Sequence, residues 1–126
     1  MKEIVLASKS PRRAELLRQI GYDFDTIDAQ IDEDAISSPR PYELVQLLAA
    51  AKAESATALC GEGHIIIAAD TVVELNGKVL GKPGDADSAR RMLSELSGSQ
   101  HVVHTGLCVY SGRKRVYCGT SSARVR

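Results

Sequence analysis

Aromatic residues are scarce in this chain: four Tyr, one Phe and no Trp among 126 residues. A core must therefore be built from Leu, Val, Ile and Ala. Cysteine is scarce too, with Cys60, Cys108 and Cys118 at wide spacings and no C-x-x-C pair. An odd number without a close pair argues against a disulfide framework or a zinc site, and predicts three reduced thiols in a reducing compartment. Neither sign of charge is in excess, with 16 basic and 16 acidic residues. No global field then draws the chain to a nucleic acid polymer or an anionic membrane, and any anion site must be a local cluster. Long hydrophobic runs are missing as well. None is longer than that at residues 65–69, far short of the roughly 20 needed to span a bilayer. Residues 1–6 are too short and too mixed for a signal peptide. A soluble, cytoplasmic protein is expected.

What is present is one domain's length of alternating strand and helix patterns, so residues 1–126 are read as a single domain. Residues 4–7 form a short buried strand. Ser10 is a suitable N-cap and Pro11 a suitable first helical residue, followed by Leu16, Leu17 and Ile20 at helical spacing and a stop at Gly21. Residues 22–31 alternate as a second strand, and 32–40 read as an acidic, then Ser- and Pro-rich loop. Pro41 opens a second helix to about Leu59. Residues 65–73 make a nearly continuous apolar run, the pattern of a central strand covered on both faces. Asn76-Gly77 signals a hairpin with 78–80 as its return strand. A third helix is expected near 85–96, then strands at 100–110 and 113–118, with another starting near Ala123. The order β-α-β-α-β-β-α-β-β is an α/β fold with a mixed sheet and flanking helices.

Several polar residues interrupt these patterns in ways that suggest chemistry. Ser8-Lys9-Ser10-Pro11-Arg12-Arg13 lies where a strand feeds a helix N-terminus, a place that favours bound anions. Asp70 stands inside an apolar strand, where a carboxylate is costly unless paired, hydrogen-bonded or metal-bound. Lys52 lies on the edge of the apolar stripe of the second helix, so it either snorkels to water or enters a polar cleft. Lys82, between Gly81 and Pro83, sits on a constrained turn that lacks the P-loop spacing. Glu33, in the run Asp32-Glu33-Asp34, could supply a second carboxylate to a divalent cation. His101 and His104 are three apart on a strand, hence on opposite faces and poorly placed to share a metal. Cations together with carboxylates point to a metal-bound phosphate substrate.

These residues also carry a resemblance. Residues 6–17, Ala51-Lys52-Ala53, Ala69-Asp70-Thr71-Val72-Val73, Gly81-Lys82-Pro83, Leu96-Ser97-Gly98, His101 and Thr105-Gly106 resemble, in order and spacing, the Maf family of nucleoside triphosphate pyrophosphatases. The resemblance implies a fold shared in outline with the inosine triphosphate pyrophosphatases, with a cleft between two lobes. It implies hydrolysis between the α- and β-phosphates, aided by Mg2+ or Mn2+. Asp70 matches the family's proton acceptor and, with Glu33, a metal position. Ser8, Ser10, Arg12, Arg13, Lys52, Thr71 and Lys82 match substrate-contacting positions.

Arg12 and Thr71 stand where family members acting on 7-methyl-GTP carry other residues. That favours dTTP and UTP, including modified pyrimidine forms, as substrates. A homodimer is implied on the same basis. Family members are usually longer, and a C-terminal part of the pattern has no match here, so the resemblance implies the N-terminal two-thirds of the domain. A non-catalytic nucleotide-binding regulator of cell division or septum formation is the alternative reading.

Overall fold

The computed structural model describes residues 3–8, 11–61, 63–75, 78–80 and 101–125. Six strands form one mixed sheet: β1 (Ile4–Ala7), β2 (Asp25–Ile27), β3 (Ile65–Leu75), β4 (Lys78–Leu80), β5 (His101–Ser111) and β6 (Lys114–Val125). The spatial order is β2-β1-β3-β5-β6, with β4 hairpinned onto β3. β1 pairs in parallel with both β2 and β3, whereas the β3–β5 and β5–β6 pairs are antiparallel. Two α-helices, α1 (Pro11–Gln19) and α2 (Pro41–Cys60), connect the parallel strands. The α/β reading holds. Ser10, Lys82 and the helix expected near 85–96 lie outside the described residues.

The sheet separates two cores because strand side chains alternate between faces. On one face Leu6 meets Ala14 and Phe24, with Leu17 and Ile67 beside them, so α1 packs there. On the other, Val5, Ala7, Ile66, Ala68, Cys108 and Tyr110 meet Ala49, Ala50, Ala53 and Ala56 of α2. β1 and β3 are thus covered on both sides, which explains their unbroken apolar runs.

Alanines along α2 bring its backbone close to the sheet. At Gly106 the approach is so tight that an added Cβ would lie 2.4 Å from Val45 O and 2.8 Å from Gln46 N. Glycine is therefore required at this point of β5 for steric reasons. At the other end of α2, Gly61 takes a positive φ of 78° and its N–H bonds Thr57 O at 2.9 Å, closing the helix. Thr57 Oγ1 lies 2.9 Å from Ala53 O and 3.1 Å from Gly112 O, sharing its proton between them. That contact pins the end of α2 to the β5–β6 turn.

Two expectations are corrected. β6 does not end near Cys118; it runs on to Val125, paired to β5 throughout, so the chain from Ala123 continues this strand and starts no new one. Cys108 and Cys118 are not free thiols. They face each other across β5 and β6 with Cα atoms 4.2 Å apart and form a disulfide, leaving Cys60 free. Ten residues separate them in sequence, and only the hairpin register shows that they meet.

Gly106→Ala is expected to destabilise the protein by about 1–3 kcal/mol, because α2 must move off the sheet; urea unfolding measures this. Thiol titration of denatured, unreduced protein should find only Cys60 reactive, and detection of all three thiols would contradict the pairing.

Candidate active site

The crevice at the carboxyl end of β1 is a switch point. The chain leaves β1 through α1 to reach β2 on one side, then returns through α2 to β3 on the other. Open α/β sheets bind ligands at such places. β1 pairs with β3 only as far as Ala7 with Ala68, and β3 continues beyond. Ser8 at the end of β1, and Asp70 and Thr71 on the overhanging part of β3, border this crevice.

On the α1 face, Arg13 Nη2 donates to Thr71 Oγ1 at 2.8 Å, and Arg13 Nη1 lies 3.4 Å from Ser8 Oγ. Thr71 Oγ1 is in turn 3.3 Å from Thr105 Oγ1 on β5. The guanidinium is thereby held by α1, β1 and β3 together. Arg12, its neighbour on the helix, is exposed.

On the α2 face, Asp70 is only 6% exposed. Its Oδ1 accepts the Thr71 N–H at 2.9 Å. Lys52 Nζ from α2 lies 3.2 Å from Asp70 Oδ2 and 3.9 Å from Glu33 Oε1, so one ammonium bridges two carboxylates. The Lys52–Asp70 contact is a charge contact and not an aligned hydrogen bond: Oδ2 is buried and receives no hydrogen bond. Lys52 therefore does not snorkel to water; it enters the polar crevice. Glu33 stands in a short 3-10 turn, Glu33–Ala35, and is about half exposed.

Ser8, Arg13 and Thr71 are thus linked on one face of β3, and Lys52, Glu33 and Asp70 on the other. Asp70 Oδ2 is the atom with unused capacity. It is buried and close to a second carboxylate through Lys52, which suits a divalent cation completed by phosphate oxygens and water. Among the described residues no cluster of three or more His, Cys, Asp or Glu forms a closed cage. Magnesium rarely uses such cages.

Sequence reading missed Thr105 and Gly106 as structural partners of the site. Thr105 stands directly opposite Thr71, and Gly106 opposite Asp70. The Thr105-Gly106 pair is visible in the sequence, but its register with Asp70-Thr71 is not.

A mixed sheet with cations and carboxylates near its switch point places the chain among the α/β proteins. The chain belongs to the Maf family: the family model described as "Maf-like protein" matches residues 3–126. It is 49% identical over 109 residues to the dTTP/UTP pyrophosphatase of Pelotomaculum thermopropionicum, covering 86% of this chain and 56% of that protein. It is 47% identical over 114 residues to the dTTP/UTP pyrophosphatase of Pyrococcus furiosus, covering 90% and 59%. The chain therefore spans little more than half the length of these relatives.

In structure it is similar to the Staphylococcus aureus Ham1 protein, with a TM-score of 0.63, 19% identity, and coverage of 98% of this chain and 70% of that one. It is also similar to a nucleoside-triphosphatase/dITP/XTP pyrophosphatase from Mycobacterium abscessus, with a TM-score of 0.61, 14% identity, and coverage of 98% and 72%. At such identities the likeness establishes the fold.

Removing Lys52 leaves Asp70 as a buried charge without its cation. Lys52→Met is expected to cost about 3–5 kcal/mol in stability. Adding Asp70→Asn should restore much of that loss, and a double-mutant cycle by urea unfolding measures the coupling. Strictly additive losses would show that the pair is not coupled.

Proposed function

We propose that this chain carries the catalytic carboxylate and part of the phosphate site of an enzyme that hydrolyses dTTP and UTP, with modified pyrimidine forms, to the monophosphate and pyrophosphate. The observation that carries the reading is Asp70: a buried carboxylate with one oxygen bound to the Thr71 N–H and the other left without a donor, beside Lys52. The relatives' name, dTTP/UTP pyrophosphatase, supports the substrate class.

The chain's own residues divide the work as follows. Asp70 Oδ2 accepts a proton from the attacking water, or would hold a divalent cation. Its Oδ1 is fixed by the backbone, so the carboxylate plane is set before substrate arrives. Lys52 holds Glu33 and Asp70 in place and offers an ammonium to phosphate oxygens. Arg13, held by Ser8 and Thr71, offers its positive charge to the charge that develops on the pyrophosphate. Arg12, Ser10 and Lys82 complete the polyanion site in this reading. A divalent cation, Mg2+ or Mn2+, would be held by Asp70 and Glu33 and would supply neutralisation of phosphate charge. A homodimer and a cytoplasmic location belong to the same proposal.

Pyrophosphate release from dTTP, UTP, CTP, ATP, GTP and 7-methyl-GTP tests it, with Mg2+ or Mn2+. Release from dTTP and UTP is expected, with a loss of at least about 100-fold in Asp70→Asn and little change in nucleotide affinity. Binding without turnover would favour the regulator reading. Equal loss of binding and turnover in Asp70→Asn would refute its catalytic assignment.

A further inference from the structure

Thr105 and Gly106 are neighbours on β5, and each is engaged with a different layer of the protein. Gly106 stands opposite Asp70 and seats α2, since a Cβ there would meet Val45 O and Gln46 N. Thr105 stands opposite Thr71 and turns to the α1 face, because successive strand residues alternate. Its Oγ1 lies 3.3 Å from Thr71 Oγ1, the atom that receives a hydrogen bond from Arg13 Nη2 at 2.8 Å. Thr105 is thus one hydroxyl removed from the guanidinium.

The direction of this chain of hydrogen bonds follows from its first member. A guanidinium has donors only, so Thr71 Oγ1 is the acceptor toward Arg13. An oxygen that accepts from a cation gives up its own proton more readily, because successive bonds polarise one another. Thr105 Oγ1 is within reach to take that proton. The order is therefore Arg13 to Thr71 to Thr105. With its proton drawn toward β5, Thr71 Oγ1 presents a lone pair to Arg13. Without Thr105 the Thr71 hydroxyl is no longer held in that orientation.

The two ends of the chain differ in rigidity. β5 pairs over 11 residues with β3 and is flanked on its other side by β6, so Thr105 has a fixed place. α1 is only 9 residues long and buries a single side chain, Ala14. Arg13 is a long side chain with many rotamers, and its aim depends on the groups that receive it.

We propose that Thr105 is a positioning residue, which through Thr71 fixes the direction in which the Arg13 charge meets the triphosphate. This rests on the nucleotide-hydrolase reading above. Two adjacent residues then serve both halves of the site. Gly106 lets α2 approach and carry Lys52 to Asp70, while Thr105 holds Arg13 on the opposite face. A strand is a rigid base for such support.

The test measures kcat and KM for dTTP on the full chain with Mg2+. Thr105→Val keeps the side-chain shape and removes the hydroxyl. It is expected to lower kcat/KM about tenfold, mainly through kcat, because the charge that Arg13 meets grows in the transition state. Thr105→Ser, which keeps the hydroxyl, should recover most of that loss. In an Arg13→Met background, Thr105→Val should cost nothing further, since a residue that acts through Arg13 has nothing left to position. A threonine with a packing role alone would cost the same in both backgrounds. Thr105→Ala replaces Thr105→Val should the latter not fold. Additive losses, or a fully active Thr105→Val, overturn this inference and leave the proposed function standing. Where turnover is too low to measure, dissociation constants for pyrophosphate, which carries the developed charge, make the same comparison. A chain that neither cleaves nor binds dTTP overturns both.

Discussion

A carboxylate placed inside a β-strand has to be answered, and the answer to Asp70 organises much of this protein. The strand cannot carry Asp70 into the interior uncompensated, because burial of a lone charge costs several kcal/mol, on the order of the whole stability of a small domain. Lys52 supplies the opposing charge from α2, which must therefore lie against β3 in one registration. The alanines of α2 and Gly106 allow that approach. The Thr71 N–H satisfies one carboxylate oxygen, and the other receives the Lys52 charge without an aligned hydrogen bond.

The same strand divides the site between two helices. Successive residues point to opposite faces, so Asp70 answers to α2 and Thr71 to α1 through Arg13. Neighbours in sequence are thereby tied to opposite layers. A shift of one residue in the β1–β3 register would exchange their partners and break both contacts. The parallel pairing of β1 with β3 thus holds the chemistry as well as the core.

Much of this was legible in advance. Apolar runs and their punctuation located β1, α1, α2, β3 and β5 within a few residues, because buried strands and amphipathic helices differ in period. The interruptions of those runs, Asp70 and Lys52, stood out for the same reason. The length of β6 was not legible: the strand expected over 113–118 was not carried through Gly119, Thr120, Ser121 and Ser122, and pairing with β5 extends it to Val125. The Cys108–Cys118 bond was misread because cross-strand proximity depends on hairpin register and not on spacing alone.

By itself, the amino-acid order determined an α/β chain with a carboxylate inside its central strand and a lysine at the margin of its long helix. Periodicity and the cost of burying charge are local properties, so one dimension suffices to read them. Only the tertiary structure decided which groups meet: Lys52 with Asp70 and Glu33, Arg13 with Thr71, His104 with Glu74 and Ser122, Cys108 with Cys118. Those pairings join strands and helices far apart in the chain. Sheet register and the packing distance of α2 set them, and both are properties of the assembled layers.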